Sequence, residues 1–152
     1  MPNFKADFSL LLVEICEPRN NDLRLKLLEL RPASEPTETV LGQATQLRPD
    51  QDSRGFELNW YAYVAYVVRN ESYNRGEVDE PVAKDGFLSV RKNSAFLNYV
   101  GTTTFATKDF PGELKHWSLW TEWHCIDVVG VEPPEVRQLS QTEVAALIDG
   151  LG

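Results

Sequence analysis

The stretch "FELNWYAYVAYVVR", residues 56–69, decides the fold class of this chain. It is rich in aromatic and β-branched residues, which favour a strand over a helix. Every second side chain, counted from the phenylalanine, is apolar, so we predict one long strand with this set facing the core. The alternate set ends at Arg69 and includes Tyr61 and Tyr63. Two tyrosines beside polar residues predict a second face that lines a groove or a partly filled barrel.

Further strand patterns flank this stretch on both sides. Alternating or continuous apolar residues predict strands at 8–16, 22–30, 39–47 and 86–91, and one or two strands within 114–131. The first two are joined by the turn-rich "EPRNND", which has the length of a hairpin connection. Consecutive prolines cannot continue a strand ladder, so we expect "EPPEV" at 132–136 to close the sheet region.

Two helices are predicted among these strands. Asn93 or Ser94 can cap a short helix over residues 95–100, which Gly101 is expected to end. The second helix begins with the capping box Ser140-x-x-Glu143 and ends at glycine 150. Its apolar residues share one face, so we expect it to pack on the sheet.

Together these elements predict a single globular domain, residues 1–152, of a strand-dominated α+β class. We expect a curled antiparallel sheet or a barrel-like sheet, with a short internal helix and a C-terminal helix packed on it. A doubly wound α/β fold is excluded because helices do not alternate with the strands.

Composition narrows the classes of partner. The chain has a formal net charge of −8 and no cluster of lysine or arginine, so nucleic acid and anionic membrane surfaces are not expected partners. The apolar N-terminal run contains Glu14 and no small-residue cleavage site follows it, which predicts a cytoplasmic protein. Cys16 and Cys125 lie in apolar runs and are expected to be free, buried thiols.

No motif predicts a cofactor or a metal. Phosphate-binding glycine loops, Cys-x-x-Cys pairs and metalloprotease motifs are absent from the sequence. One face of a strand over this region would carry three possible metal ligands, His116, Glu122 and His124. An unbent strand, however, would separate the two histidines by about 26 Å at 3.3 Å per residue. We therefore expect no metal site unless the strand folds back. Cys125 and His124 point to opposite faces, so that histidine cannot activate that thiol, although more distant cysteine–histidine pairings remain open.

Asp127 lies in the apolar run "CIDVV" and must be paired or lie at an opening, because burying an unpaired carboxylate is costly. Arg69 or Arg91, each at a strand end, can provide the partner. The segment from Arg69 to Tyr73 then has two interpretations. One is a structural strand end with an Arg–Glu pair. The other is a binding site, with side chains gathered at the rim of one pocket: Tyr61, Tyr63, Arg69, Glu71 and Tyr73.

Three functional classes are compatible with these features. The one we favour is a non-catalytic binding domain that engages a basic protein through an acidic, aromatic-rich surface, as an inhibitor or immunity protein does. The second is a barrel with a tyrosine-lined pocket for a small ligand, and the third is an enzyme of unknown class. The predicted binding residues are Tyr61, Tyr63, Arg69, Glu71, Tyr73 and Asp127. The sequence predicts no catalytic residue, and it leaves the oligomeric state open.

Overall fold

A computed structural model describes residues 9–33, 35–75 and 81–152 of the chain. Its strands are β1 (Ser9–Cys16), β2 (Leu23–Pro32), β3 (Thr37–Thr39), β4 (Gly42–Ala44), β5 (Leu47–Arg48), β6 (Gly55–Trp60), β7 (Ala65–Asn70), β8 (Pro81–Asp85), β9 (Leu88–Arg91), β10 (Lys115–Trp120), β11 (His124–Gly130) and β12 (Glu135–Gln138). The helices are α1 (Ala95–Thr103) and α2 (Gln141–Asp149), and a short 3-10 turn spans Glu71–Tyr73.

Most of the strands form two antiparallel sheets that pack face to face, and β3 and β4 form a separate two-stranded sheet. The first sheet has the order β1-β2-β6-β12, with β5 added to β2, and the second has the order β7-β11-β10-β9-β8. Apolar side chains of both sheets share one core, in which the Trp60 and Trp117 rings are 6.3 Å apart. The fold is therefore strand-dominated α+β with antiparallel sheets, as predicted. It is a two-sheet sandwich and not a closed barrel.

The long strand predicted at 56–69 is wrong, because the chain changes sheets in its middle. Strand β6 ends at Trp60, and a turn follows in which Ala62 takes a positive φ of 62°. The next strand, β7, pairs with β11 of the second sheet. The alternation of apolar residues in the sequence does not reveal that the chain passes from one sheet to the other, because the apolar residues of β6 and of β7 face the same core.

The pattern at 114–131 forms two strands that reverse direction at residues 121–123. The hydroxyl of Thr121 donates to the carbonyl of His124 and accepts from its amide, which closes the turn. The resulting register pairs His116 with Val129 and Ser118 with Asp127. The strand folds back, so the unbent-strand distance between the two histidines does not apply.

One helix covers the outer face of each sheet. The side chain of Ser94 caps α1 by accepting from the Leu97 amide, and α1 contacts β10 and β11. The predicted end at Gly101 is wrong, because the helix continues to Thr103. Helix α2 begins with the predicted capping box and packs on the first sheet through Val144.

Two other strand predictions were also wrong. Residues 39–47 form parts of the small β3–β4 hairpin and of β5, with fully exposed Val40 and Leu41 at the hairpin turn. The prolines at 133 and 134 do not close the sheet region, because β12 follows them and pairs with β6 as an edge strand. Edge strands tolerate neighbouring prolines since one side of their ladder is unpaired. The first residue of the predicted strand 8–16 lies outside the described residues.

No helix in the described part of the chain is long and apolar enough to cross a membrane.

Candidate functional site

A buried polar network crosses the outer face of the second sheet beneath α1. The Oγ of Ser94 lies 2.6 Å from Nδ1 of His116, and Nε2 of His116 lies 2.7 Å from Oδ1 of Asp127. The other carboxylate oxygen of Asp127 accepts from the Arg69 guanidinium at 2.9 Å. The expected pairing of Asp127 with Arg69 is therefore present, with a histidine added. The network connects the start of α1 to β10, β11 and β7.

The charged and hydrogen-bonding groups of this network favour the ionised form of Asp127. Burial alone would raise the pKa of this carboxyl, which is only 5% exposed. The hydrogen bond from His116, its charge and that of Arg69 outweigh burial, and the pKa of Asp127 is lowered. Nε2 of His116 donates to the Asp127 carboxylate, and Nδ1 forms the hydrogen bond with the Ser94 hydroxyl. Each hydrogen-bonding group of the imidazole then has a partner.

The same residue types make up the catalytic triad of serine hydrolases, but their surroundings here differ. Ser94 is 3% exposed and His116 is 4% exposed, so a substrate carbonyl does not reach the hydroxyl. The Ser94 oxygen is also engaged as the helix cap, where it accepts from Leu97 at 3.0 Å. We interpret this network as the structural attachment of α1 to the second sheet.

The cysteines are free thiols without thiolate character. Burial raises the pKa of Cys125, which is fully buried. Burial and then the hydrogen bond to Glu14 raise the pKa of Cys16. His116 already uses both ring nitrogens, so it does not activate either thiol. Neither cysteine has the lowered pKa typical of a reactive thiol.

The described residues contain no group of three histidine, cysteine, aspartate or glutamate side chains that could hold a metal ion. His116 lies opposite Val129, whereas His124 starts β11 and pairs with Asn70. The reversal of the chain therefore does not bring the two histidines together.

The structure separates the predicted binding residues into two groups. Tyr61 and Tyr63 lie in the connection between β6 and β7, and Glu71 and Tyr73 lie in the 3-10 turn after β7. The six residues of β7 between them span about 16 Å. Tyr61 and Tyr63 lie at one end of β7, and Glu71 and Tyr73 lie at the other end. The two groups therefore do not form the rim of one pocket. A binding role for either group stays a prediction.

The tyrosine end is closed by local contacts. The Tyr63 hydroxyl donates to the Glu17 carboxylate, and this hydrogen bond together with burial raises the pKa of Tyr63 to about 12. The Tyr63 ring also packs edge-on against Tyr66, with centroids 4.9 Å apart. Tyr61 is 55% exposed and its hydroxyl reaches Glu135 at 3.5 Å. These contacts attach the connection between the sheets to its neighbours.

At the other end of β7 the structure forms an open groove, the tip groove. Its volume is about 370 Å³, and it is lined by Ser9, Leu10, Glu71, Trp120, Thr121 and Glu122. Two backbone hydrogen bonds connect the turn at 121–123 to both sides of the groove. The Glu122 amide donates to the Leu10 carbonyl at 2.8 Å, and the Glu71 amide donates to the Trp123 carbonyl at 3.0 Å.

The tip groove is acidic and aromatic. Glu71 and Glu122 are exposed, and neither carboxylate forms an ion pair with another described residue. By contrast, Glu29 and Asp127 are buried against arginines. Trp120 is 44% exposed in the groove wall. Two further exposed rings lie in segments that contribute to the groove, Trp123 (59%) in the turn at 121–123 and Tyr73 (83%) in the 3-10 turn that includes Glu71. The groove therefore offers two carboxylates without an ion-pair partner in the described part of the chain, next to the exposed indole ring of Trp120.

Glu71 and Tyr73 were among the predicted binding residues, whereas Ser94, Trp120 and Trp123 were not. Ser94 appeared only as a cap, because its histidine partner is 22 residues away in the chain. Trp120 was not identified because its exposure results from the reversal that follows it, and the apolar pattern at 114–131 did not give the position of that reversal. The residues at the reversal, Trp-Thr-Glu-Trp at 120–123, include no glycine, proline, asparagine, aspartate or serine that would have indicated a turn.

Comparison with protein-family models, with curated proteins and with solved structures finds no match for this chain.

Proposed function

We propose that this protein is a non-catalytic binding domain that engages a basic protein partner through the tip groove. The observation that carries the proposal is the exposed ring of Trp120 beside two carboxylates, Glu71 and Glu122, that have no ion-pair partner among the described residues. This combination suits a lysine or arginine side chain. The partner would act on this protein, or be inhibited by it, through that contact.

Two interactions favour a cationic side chain at this place. A guanidinium or ammonium group over an indole ring gains about 0.5–2 kcal/mol, depending on how far it is desolvated. Carboxylates within a few ångströms add an attraction that salt screens over about 8–10 Å. The net charge of −8 extends this attraction to long range and favours fast association with a basic surface.

Binding to a defined probe tests the proposal. The probe is a blocked eight-residue peptide of alternating lysine and threonine, and its counterpart contains glutamate in place of lysine. We expect calorimetry or fluorescence anisotropy to show binding of the lysine peptide alone, weakened as salt rises. Glu71→Gln combined with Glu122→Gln should reduce the affinity at least tenfold.

A matched control separates the groove from the overall charge. Glu132→Gln combined with Asp149→Asn removes the same two charges from exposed positions outside the groove. We expect this control to bind nearly as the unmodified protein does. Equal losses in the two double variants would show that net charge alone attracts the peptide, and the tip groove would then not be the site.

A further inference from the structure

One side of the sandwich is bordered by two edge strands. Strand β1 is the edge of the first sheet and β7 is the edge of the second. They approach each other at both ends. At one end Tyr63 bonds to Glu17, and at the other the turn at 121–123 bonds to both Leu10 and Glu71. This open side therefore ends at the tip groove.

Strand β7 has a main-chain edge without a partner among the described residues, because it pairs there with β11 alone. Hydrogen-bonded residues alternate along an antiparallel pair. The amide of Glu71 donates to the carbonyl of Trp123. Every second residue before Glu71 therefore also directs its main-chain groups towards β11, and these residues include Val67 and Arg69. The amide and carbonyl groups of Tyr66 and Val68 then point to the open side.

The side chains along this edge are accessible and partly apolar. Val68 is 37% exposed, and Tyr66 is half-buried. Tyr66 packs on the common core together with Leu12 and Ile15 of β1, which are also half-buried. An additional strand beside β7 would bury these residues further and give the Tyr66 and Val68 backbone groups partners.

We propose that the basic partner contributes an extended segment that adds to β7 as a new edge strand of the second sheet. This inference rests on the proposed function and specifies how the partner binds. The carboxylates of Glu71 and Glu122 lie where the added strand would leave β7 and enter the tip groove. Main-chain hydrogen bonds supply affinity in this mode of recognition, and side-chain pockets supply specificity. Charge complementarity selects a lysine- or arginine-containing segment.

The test uses the lysine–threonine peptide and two derivatives with methyl groups on alternate amide nitrogens, either of the lysines or of the threonines. A strand presents alternate amides to its two edges, so only one of the two sets faces β7. We expect one derivative to lose at least tenfold in affinity and the other to bind as the parent does. Equal binding of all three peptides would overturn the strand addition while leaving recognition of charge intact. Failure of the parent peptide to bind would instead contradict the proposed function.

A variant of the edge gives a second measurement. Val68→Pro removes the amide that points to the open side, at an exposed edge position where proline is tolerated. If its circular dichroism spectrum is unchanged, we expect the same tenfold loss for the peptide. Sedimentation should show that the unmodified protein is a monomer without peptide. A dimer that Val68→Pro dissociates would assign the edge to a second copy of the chain and overturn the proposal.

Discussion

Replacement of His116 by alanine should be among the most destabilising changes in this protein. The imidazole forms two hydrogen bonds, at 2.6 Å to Ser94 and at 2.7 Å to Asp127, and both partners are at most 5% exposed. A buried polar group that loses its partner costs about 1–3 kcal/mol. Breaking a buried charged pair costs about 3–5 kcal/mol. Because Asp127 keeps the Arg69 contact, we expect His116→Ala to lower the free energy of unfolding by about 3 kcal/mol, the lower end of that range.

Arg69→Ala is the control for this prediction. The Arg69 side chain is 53% exposed, and its removal leaves Asp127 with the hydrogen bond from His116. We therefore expect a loss of only about 1 kcal/mol, as for other ion pairs with one exposed partner. Urea denaturation followed by circular dichroism measures both variants. If His116→Ala costs no more than Arg69→Ala, the buried network does not attach α1 to the sheet and this interpretation is wrong.

Other variants test the packing of the helices and the closed tyrosine end. A β-carbon at Gly55 would lie 2.9 Å from the Val144 side chain of α2, so Gly55→Ala should cost about 1–3 kcal/mol in a urea melt. Gly101→Ala is the matched control in α1; it meets no atom within 4 Å and should stabilise the protein by about 0.5–1 kcal/mol. The pKa of Tyr63 is about 12, so its protonated form stabilises the fold below pH 10 and this contribution is lost as the pH rises to about 12. Absorbance at 295 nm should show one tyrosine titrating near pH 12, and Tyr63→Phe should remove that step; titration of all five tyrosines near pH 10 would contradict the hydrogen bond to Glu17.

Local patterns in the sequence were sufficient to predict several elements. The hairpin of β1 and β2 follows from apolar residues on each side of a polar turn, and both helix starts follow from their caps at Ser94 and Ser140. The need of Asp127 for a cationic partner also followed from the sequence, because an unpaired carboxylate in an apolar run is too costly to bury. These features depend on neighbours in the chain or on the solvation of one group.

Tertiary structure decided where the strands end and which residues meet. Trp60 ends one strand and Ala65 begins another in the opposite sheet, although the apolar alternation continues between them. The tip groove exists because the chain reverses after Trp120, and its walls also come from β1 and the end of β7. The apolar period of a segment indicates only that its side chains face a core. Because both sheets share the same core, the period does not indicate to which sheet the segment belongs. Sheet assignment and the groove depend on pairing between distant segments, which a local pattern does not contain.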